Sequence, residues 1–241
     1  MSKRRSTLWL PLALLSAAPG PGAAQEPAPT IILSSQDPNS LPGYTDMTDV
    51  NVAWTIEPVL PYCPGGGCHF EYCLTQKKDL SNCTWQHQIP TSHSLGKDAA
   101  NGQYTVYAEY QIVSSGTVEA SLPGSATIIL NLTKPSVNLN SPAGLVLDAN
   151  TGATQVQFLS AAAAQWVTYS ASSSAGESVT VAVDACPRSG TCTQLTPAPL
   201  ATPPYMWEWP TPPATEGYAY MQLTATDEAG NRTPLSIRSI R

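Results

Sequence analysis

The sequence predicts an all-β protein built as two tandem antiparallel sandwiches, and three observations predict it. Apolar and polar residues alternate over short runs, turn residues punctuate those runs with 23 prolines in 241 residues, and the second half of the chain repeats the first. Alternation marks strands with one dry face and one wet face, because successive side chains point to opposite sides of a sheet. Val50, Val52 and Trp54 alternate with Asn51, Ala53 and Thr55, and Tyr104, Val106, Ala108 and Tyr110 alternate with Thr105, Tyr107 and Glu109. Val179, Val181 and Val183 alternate with Thr180, Ala182 and Asp184. Several such runs at short spacing favour a sandwich over a helical or βαβ fold. The one helix candidate, Ala161 to Gln165, is too short a signal to compete.

The repeat divides the chain. Pro29-Thr30-Ile31-Ile32-Leu33-Ser34 matches Pro135-Ser136-Val137-Asn138-Leu139-Asn140, each a proline leading into an alternating edge strand. Phe70-Glu71-Tyr72-Cys73 corresponds to Val181-Ala182-Val183-Asp184-Ala185-Cys186, and both run through a short polar loop to a second cysteine. Gly102 to Ala108 corresponds to Gly217 through Tyr220, Leu223 and Ala225. The offset grows from 106 at the prolines to 113 at Cys73/Cys186 and 117 at Ala108/Ala225, as loop insertions in a duplicated unit require. The expected boundaries are a leader over 1–24, a first sandwich over 25–134 and a second over 135–241, joined tightly at Thr133-Lys134-Pro135.

The leader reading rests on Lys3, Arg4 and Arg5, an apolar stretch from Leu8 to Ala18, and small residues Gly22, Ala23 and Ala24 before Gln25. That layout is a secretory signal peptide cut after Ala24. A membrane anchor would need about 20 unbroken apolar residues, and Pro11, Pro19 and Pro21 interrupt this stretch. Cleavage removes three cations and no acid, taking the formal net charge from −6 to −9. So acidic a chain repels phosphate backbones and anionic lipid surfaces, which argues against nucleic acid or membrane as partner.

Ala225-Thr226-Asp227-Glu228-Ala229-Gly230-Asn231, after an alternating strand, resembles the closing hairpin of bacterial immunoglobulin-like and fibronectin type III-like repeats. Leu132-Thr133-Lys134-Pro135-Ser136-Val137 resembles their proline-led entry strand, and Tyr104 resembles the tyrosine whose hydroxyl pins a neighbouring loop. The resemblance implies two immunoglobulin-like modules. It implies no reaction, because that scaffold carries many functions. The first half departs from the pattern: Ala108-Glu109-Tyr110-Gln111 stands where the hairpin motif belongs.

All six cysteines, Cys63, Cys68, Cys73, Cys83, Cys186 and Cys192, follow the leader, so they read as disulfides formed in an oxidising compartment. Cys186 pairs with Cys192 in its own half. The first four allow three connectivities, of which Cys63–Cys68 across Pro64-Gly65-Gly66-Gly67 and Cys73–Cys83 fits the repeat best. Four thiols and all three histidines, His69, His87 and His93, fall within 31 positions, the ligand types zinc prefers. The Cys73-x₉-Cys83 spacing is too wide for a zinc knuckle, and no metal or cofactor is expected.

Tyr205-Met206-Trp207-Glu208-Trp209-Pro210 holds the candidate binding residues Tyr205, Trp207 and Trp209. Paired indoles on one face of an edge strand can stack on sugar rings or anchor a protein; the competing reading places them in the core, as for Trp85 in the first half. Asp227, Glu228 and Asn231 could offer oxygens to calcium, but a turn at Ala229-Gly230-Asn231 explains them at lower cost. Asn82, Asn131 and Asn231 open glycosylation sequons. No Gly-x-Ser-x-Gly, His-Glu-x-x-His, phosphate loop or dinucleotide fingerprint is present. The expectation is a secreted or envelope-located, non-enzymatic binding or spacer protein whose partner is a protein or polysaccharide. The alternative is a carbohydrate-binding accessory protein using Trp207 and Trp209.

Overall fold

The computed structural model describes residues 26–57, 67–80, 82–114, 117–141, 145–147, 154–157, 165–186, 191, 193–194, 200–201, 205–209 and 220–240, some of them as backbone only. The first half contains β1 (Thr30–Ser35), β2 (Tyr44–Thr45), β3 (Asp49–Thr55), β4 (Cys68–Thr75), β5 (Ser92–Ser94), β6 (Gly102–Ser114), β7 (Thr117–Ala120) and β8 (Gly124–Leu130). The second half contains β9 (Ser136–Ser141), β10 (Leu145–Leu147), β11 (Thr154–Gln157), β12 (Gln165–Ser172), β13 (Val179–Cys186), β14 (Thr193–Gln194), β15 (Tyr205–Trp209), β16 (Tyr220–Asp227) and β17 (Arg232–Ile240). The fold is all-β, with no helix among the described residues. Gln165, the end of the sequence's helix candidate, opens β12, and 161–164 lie outside the described residues.

Among the described residues the strands form four sheets, and each half owns two of them. In the first half the orders are β1-β3-β5 and β2-β8-β6-β4, with β7 beside β6. In the second they are β15-β12-β9 and β10-β11-β17-β16-β13-β14. The correspondence extends to direction: β2 runs parallel to β8 and β11 parallel to β17, while the other pairs within the sheets are antiparallel. The proline-led segments of the repeat become β1 and β9, and the cysteine-bearing segments become β4 and β13.

Each half closes its two sheets over its own apolar core, as period-two burial demands. Ile31 and Leu33 of β1 and Val50 and Val52 of β3 meet Val106 and Ala108 of β6 and Ile128 and Leu130 of β8. Val137 and Leu139 of β9 and Tyr169 of β12 meet Val179, Val181 and Val183 of β13 and Leu223 and Ala225 of β16. This layering is consistent with a β-sandwich in each half. The indole against the first core is Trp54, whose Nε1 donates to the Pro90 carbonyl at 2.8 Å. Trp85 is half-buried outside that cluster, a departure from the sequence expectation. The Tyr104 hydroxyl donates to the Ala100 carbonyl at 2.8 Å and pins the loop before β6, as the resemblance implies.

Candidate functional site

Where β8 ends, the chain passes through Asn131 to Pro135 into β9, and the turn between β16 and β17 folds back onto this link. That turn forms because Gly230 adopts φ +97°, a left-handed conformation glycine takes at little steric cost. Asp227 closes it: its backbone N–H donates to the Asn231 carbonyl, and its Oδ1 accepts the Asn231 N–H at 2.9 Å. Gly230 alone carries the positive φ there; Ala229 and Asn231 do not share it.

Asn131 is the hub of the junction, with 1% of its surface exposed. Its Nδ2 donates to Glu177 Oε2 at 2.8 Å and Asp227 Oδ2 at 3.2 Å, and its carbonyl accepts Asn231 Nδ2 at 2.8 Å. Its Oδ1 accepts the Thr133 N–H and Asn101 Nδ2, which holds the link against the loop before β6. The turn also grips a second segment of the first half. Leu41 N–H donates to the Glu228 carbonyl at 2.8 Å, Ser40 Oγ donates to the Ala229 carbonyl, and Arg232 reaches Asn39 Oδ1. An added Cβ at Gly230 would lie 2.9 Å from Ser40 Oγ, so the two halves meet there without room for a methyl group.

The junction concentrates negative charge. Burial pushes the Glu177 carboxyl above its ordinary value; Asp227 and Glu228 push the same way, and the Asn131 hydrogen bond partly opposes them. Glu177 Oε1 is buried with no hydrogen bond from the described residues. Asp227 is 4% exposed, and amide donors reach both of its oxygens, as a buried acceptor requires. Asn131 and Asn231, read in sequence as glycosylation sequons, spend their side chains inside this network and offer no accessible amide. Sequence reasoning gave Asn131 only a sequon and missed Glu177, because their junction role depends on segments 46 and 96 positions away.

The other nominated residues are distributed elsewhere. Cys73 and Cys83 form a disulfide, as the repeat assigns them. Cys68 is also disulfide-bonded, whereas the pairing of Cys63, Cys186 and Cys192 lies outside the described residues. Tyr205 is in the second core, 3% exposed, stacked on Tyr169 at 5.5 Å and donating its hydroxyl to the Val179 carbonyl at 2.8 Å. A phenol spent on core packing is unavailable as a surface platform. β15 is an edge strand paired with β12 through Trp207↔Val167 and Trp209↔Gln165; the Trp207 and Trp209 side chains lie outside the described residues. Among the described residues, His69, Glu71 and His87 are the one group of three metal-capable side chains whose donor atoms converge.

No protein-family model matches the chain, and no curated protein matches its sequence. Among solved structures the chain is similar to a tetra-tandem repeat from the extending region of a large adhesion protein, at 17% identity and a TM-score of 0.29. That match covers 88% of this chain, which spans 48% of the adhesion fragment. A second similarity is to a Salmonella alpha-2-macroglobulin, at 10% identity and a TM-score of 0.27, covering 90% of this chain and 17% of the larger protein. Likenesses this distant carry no argument about function.

Proposed function

We propose that the protein is an exported, non-enzymatic scaffold that holds two immunoglobulin-like modules in one fixed relation and presents them to an extracellular or envelope macromolecule. The immunoglobulin-like reading is supported by sheet composition. The first, second and fifth principal strands share one sheet and the third, sixth and seventh share the other, with a tyrosine pinning the loop before the sixth. Export is supported by the Cys73–Cys83 disulfide, a bond that persists in oxidising compartments.

The observation that carries the reading is the buried junction around Asn131. A flexible tether leaves its polar groups to water. Here a 1%-exposed asparagine bonds two carboxylates and a turn of the following module, which ties orientation to hydrogen-bond geometry. A spacer or presenting protein needs that rigidity.

Asn131→Ala is the test. It leaves Asp227 Oδ2 and Glu177 Oε2 each short of a donor in a buried site, at about 1–3 kcal/mol. Residual dipolar couplings should report one common alignment frame for both halves of the wild type and two unequal frames for the variant. Independent tumbling of the halves in the wild type would remove the basis for the scaffold reading.

A further inference from the structure

The strands that carry the Cys73–Cys83 disulfide also carry a second constellation. β4 holds His69 and Glu71 two residues apart, hence on the same face of the strand. The chain returns after the disulfide loop and pairs Gln86 against Tyr72, each N–H donating to the other's carbonyl, at 2.8 and 3.0 Å. That register sets His87 opposite Glu71 in a non-hydrogen-bonded pair, the closer of the two antiparallel spacings. His69 Nε2 lies 3.2 Å and His87 Nδ1 3.7 Å from the same oxygen, Glu71 Oε1, with the imidazole rings edge to face at 5.0 Å. The other carboxylate oxygen, Oε2, is held by Gln111 Nε2 from the neighbouring β6.

We propose that His69, Glu71 and His87 bind one divalent ion of the borderline class, Zn²⁺ or Cu²⁺. Two imidazoles and a carboxylate are the donor set such ions select, and tetrahedral coordination at 2.0–2.2 Å places neighbouring donors about 3.4 Å apart. The observed 3.2 and 3.7 Å bracket that value, and all three donor atoms already lie within 4.8 Å of one another. Closing the remaining gap requires only side-chain rotation, because His69 and His87 side chains are 49% and 74% exposed.

Three features separate this set from a chance surface ion pair. Both rings address one oxygen, whereas an ion pair needs one. Gln111 fixes the carboxylate from behind, the outer-shell support that orients metal ligands. Finally, the disulfide and the Tyr72–Gln86 bridge fix the backbone beneath the ligands, so little ordering remains to be done on binding. Oxidation of Cys73 and Cys83 takes both thiols out of the ligand pool, leaving nitrogen and oxygen donors. Three protein ligands leave at least one coordination position open toward solvent.

The test is calorimetric titration of the untagged full chain, disulfides oxidised, with Zn²⁺, Cu²⁺ and Mg²⁺ in separate runs. One equivalent of Zn²⁺ and of Cu²⁺ should bind, copper the tighter, and Mg²⁺ should not. His87→Ala and Glu71→Gln should each weaken binding about 100-fold or more, and Gln111→Leu about 10–100-fold. His93, on β5 in the other sheet, is the internal control: His93→Ala should leave affinity unchanged. In nitrogen-15 spectra the His69 and His87 rings should respond to Zn²⁺ while His93 stays still. If His69→Ala proves poorly folded, the heavily exposed His87→Ala decides alone. Absence of binding at millimolar ion, or binding that survives the His69→Ala/His87→Ala double variant, overturns the proposal.

Discussion

The sixth principal strand of each half ends differently, and the two endings account for the two features that set this chain apart. In the second half β16 stops at Asp227, and a glycine turn leads directly into β17. In the first half the equivalent strand has no Asp-x-Ala-Gly-Asn to stop it, and β6 continues for 13 residues from Gly102 to Ser114. The extra length pairs with Cys68 to Cys73 of β4 on one side and with β7 on the other. The short ending packs onto the preceding half and becomes the junction. The long ending becomes a ribbon whose far end lies about 40 Å along β6 from Gly102, which pairs with Leu130 beside the junction. One duplicated strand thus serves orientation at one end and presents His69, Glu71 and His87 near the other. A single turn motif, present or absent, decides which.

Removing the staple of the long ending should have the largest effect. Cys73→Ser/Cys83→Ser opens a loop with sequence separation 10 and should cost the first half about 2–3 kcal/mol. Amide exchange resolved by residue should show the loss in β4 and β6 and leave β13 and β16 at wild-type protection. Equal loss in both halves would mean that the junction couples them into one cooperative unit.

The short ending is broken at Gly230. Gly230→Ala forces a Cβ into a φ of +97° and against Ser40 Oγ, and should cost about 1–2 kcal/mol. Gly176→Ala is the matched control, since Gly176 has φ +76° with nothing within 4 Å of an added Cβ. Thermal melts of the two variants should differ by the contact with the first half. Identical melts would show that Ser40 yields freely.

The smallest effect sharpens the electrostatics of the junction. The Glu177 carboxyl is raised in the folded state, so it binds protons more readily there than in the unfolded chain. A raised acid adds stability as pH falls through its folded value, and the gain is complete below its unfolded one. Glu177→Gln keeps an acceptor for Asn131 and removes the repulsion from Asp227 and Glu228. It should raise the melting temperature at pH 7 by a degree or two. The variant should also gain less than the wild type on acidification from pH 7 toward 4.5. A lower melting temperature for the variant at pH 7 would show that the charge–amide bond to Asn131 outweighs the repulsion.

The alternation of Val50/Val52, Val106/Ala108 and Val179/Val181/Val183 by itself determined which faces are buried, because a period of two leaves each strand one apolar side. The repeat determined the equivalent strands and the Cys73–Cys83 bond, since both follow from local pattern and order along the chain. The role of Tyr104 came from the family resemblance, and the carbonyl it meets, that of Ala100, lies four residues away. Tertiary structure decided whatever depends on register between distant segments. Tyr205, in an aromatic run that reads equally as surface or core, is committed to the core by Tyr169 and by the Val179 carbonyl 26 residues away. Asn131 becomes a lock only when Asp227 arrives 96 residues later. His69 and His87 read in sequence only as members of a wider group of thiols and imidazoles; Glu71 enters because it shares a face of β4 with His69 and the Tyr72–Gln86 pairing sets His87 opposite it. A sequence specifies what each residue prefers beside its neighbours, while the chemistry of these sites depends on which residues the closed sheets bring within 4 Å.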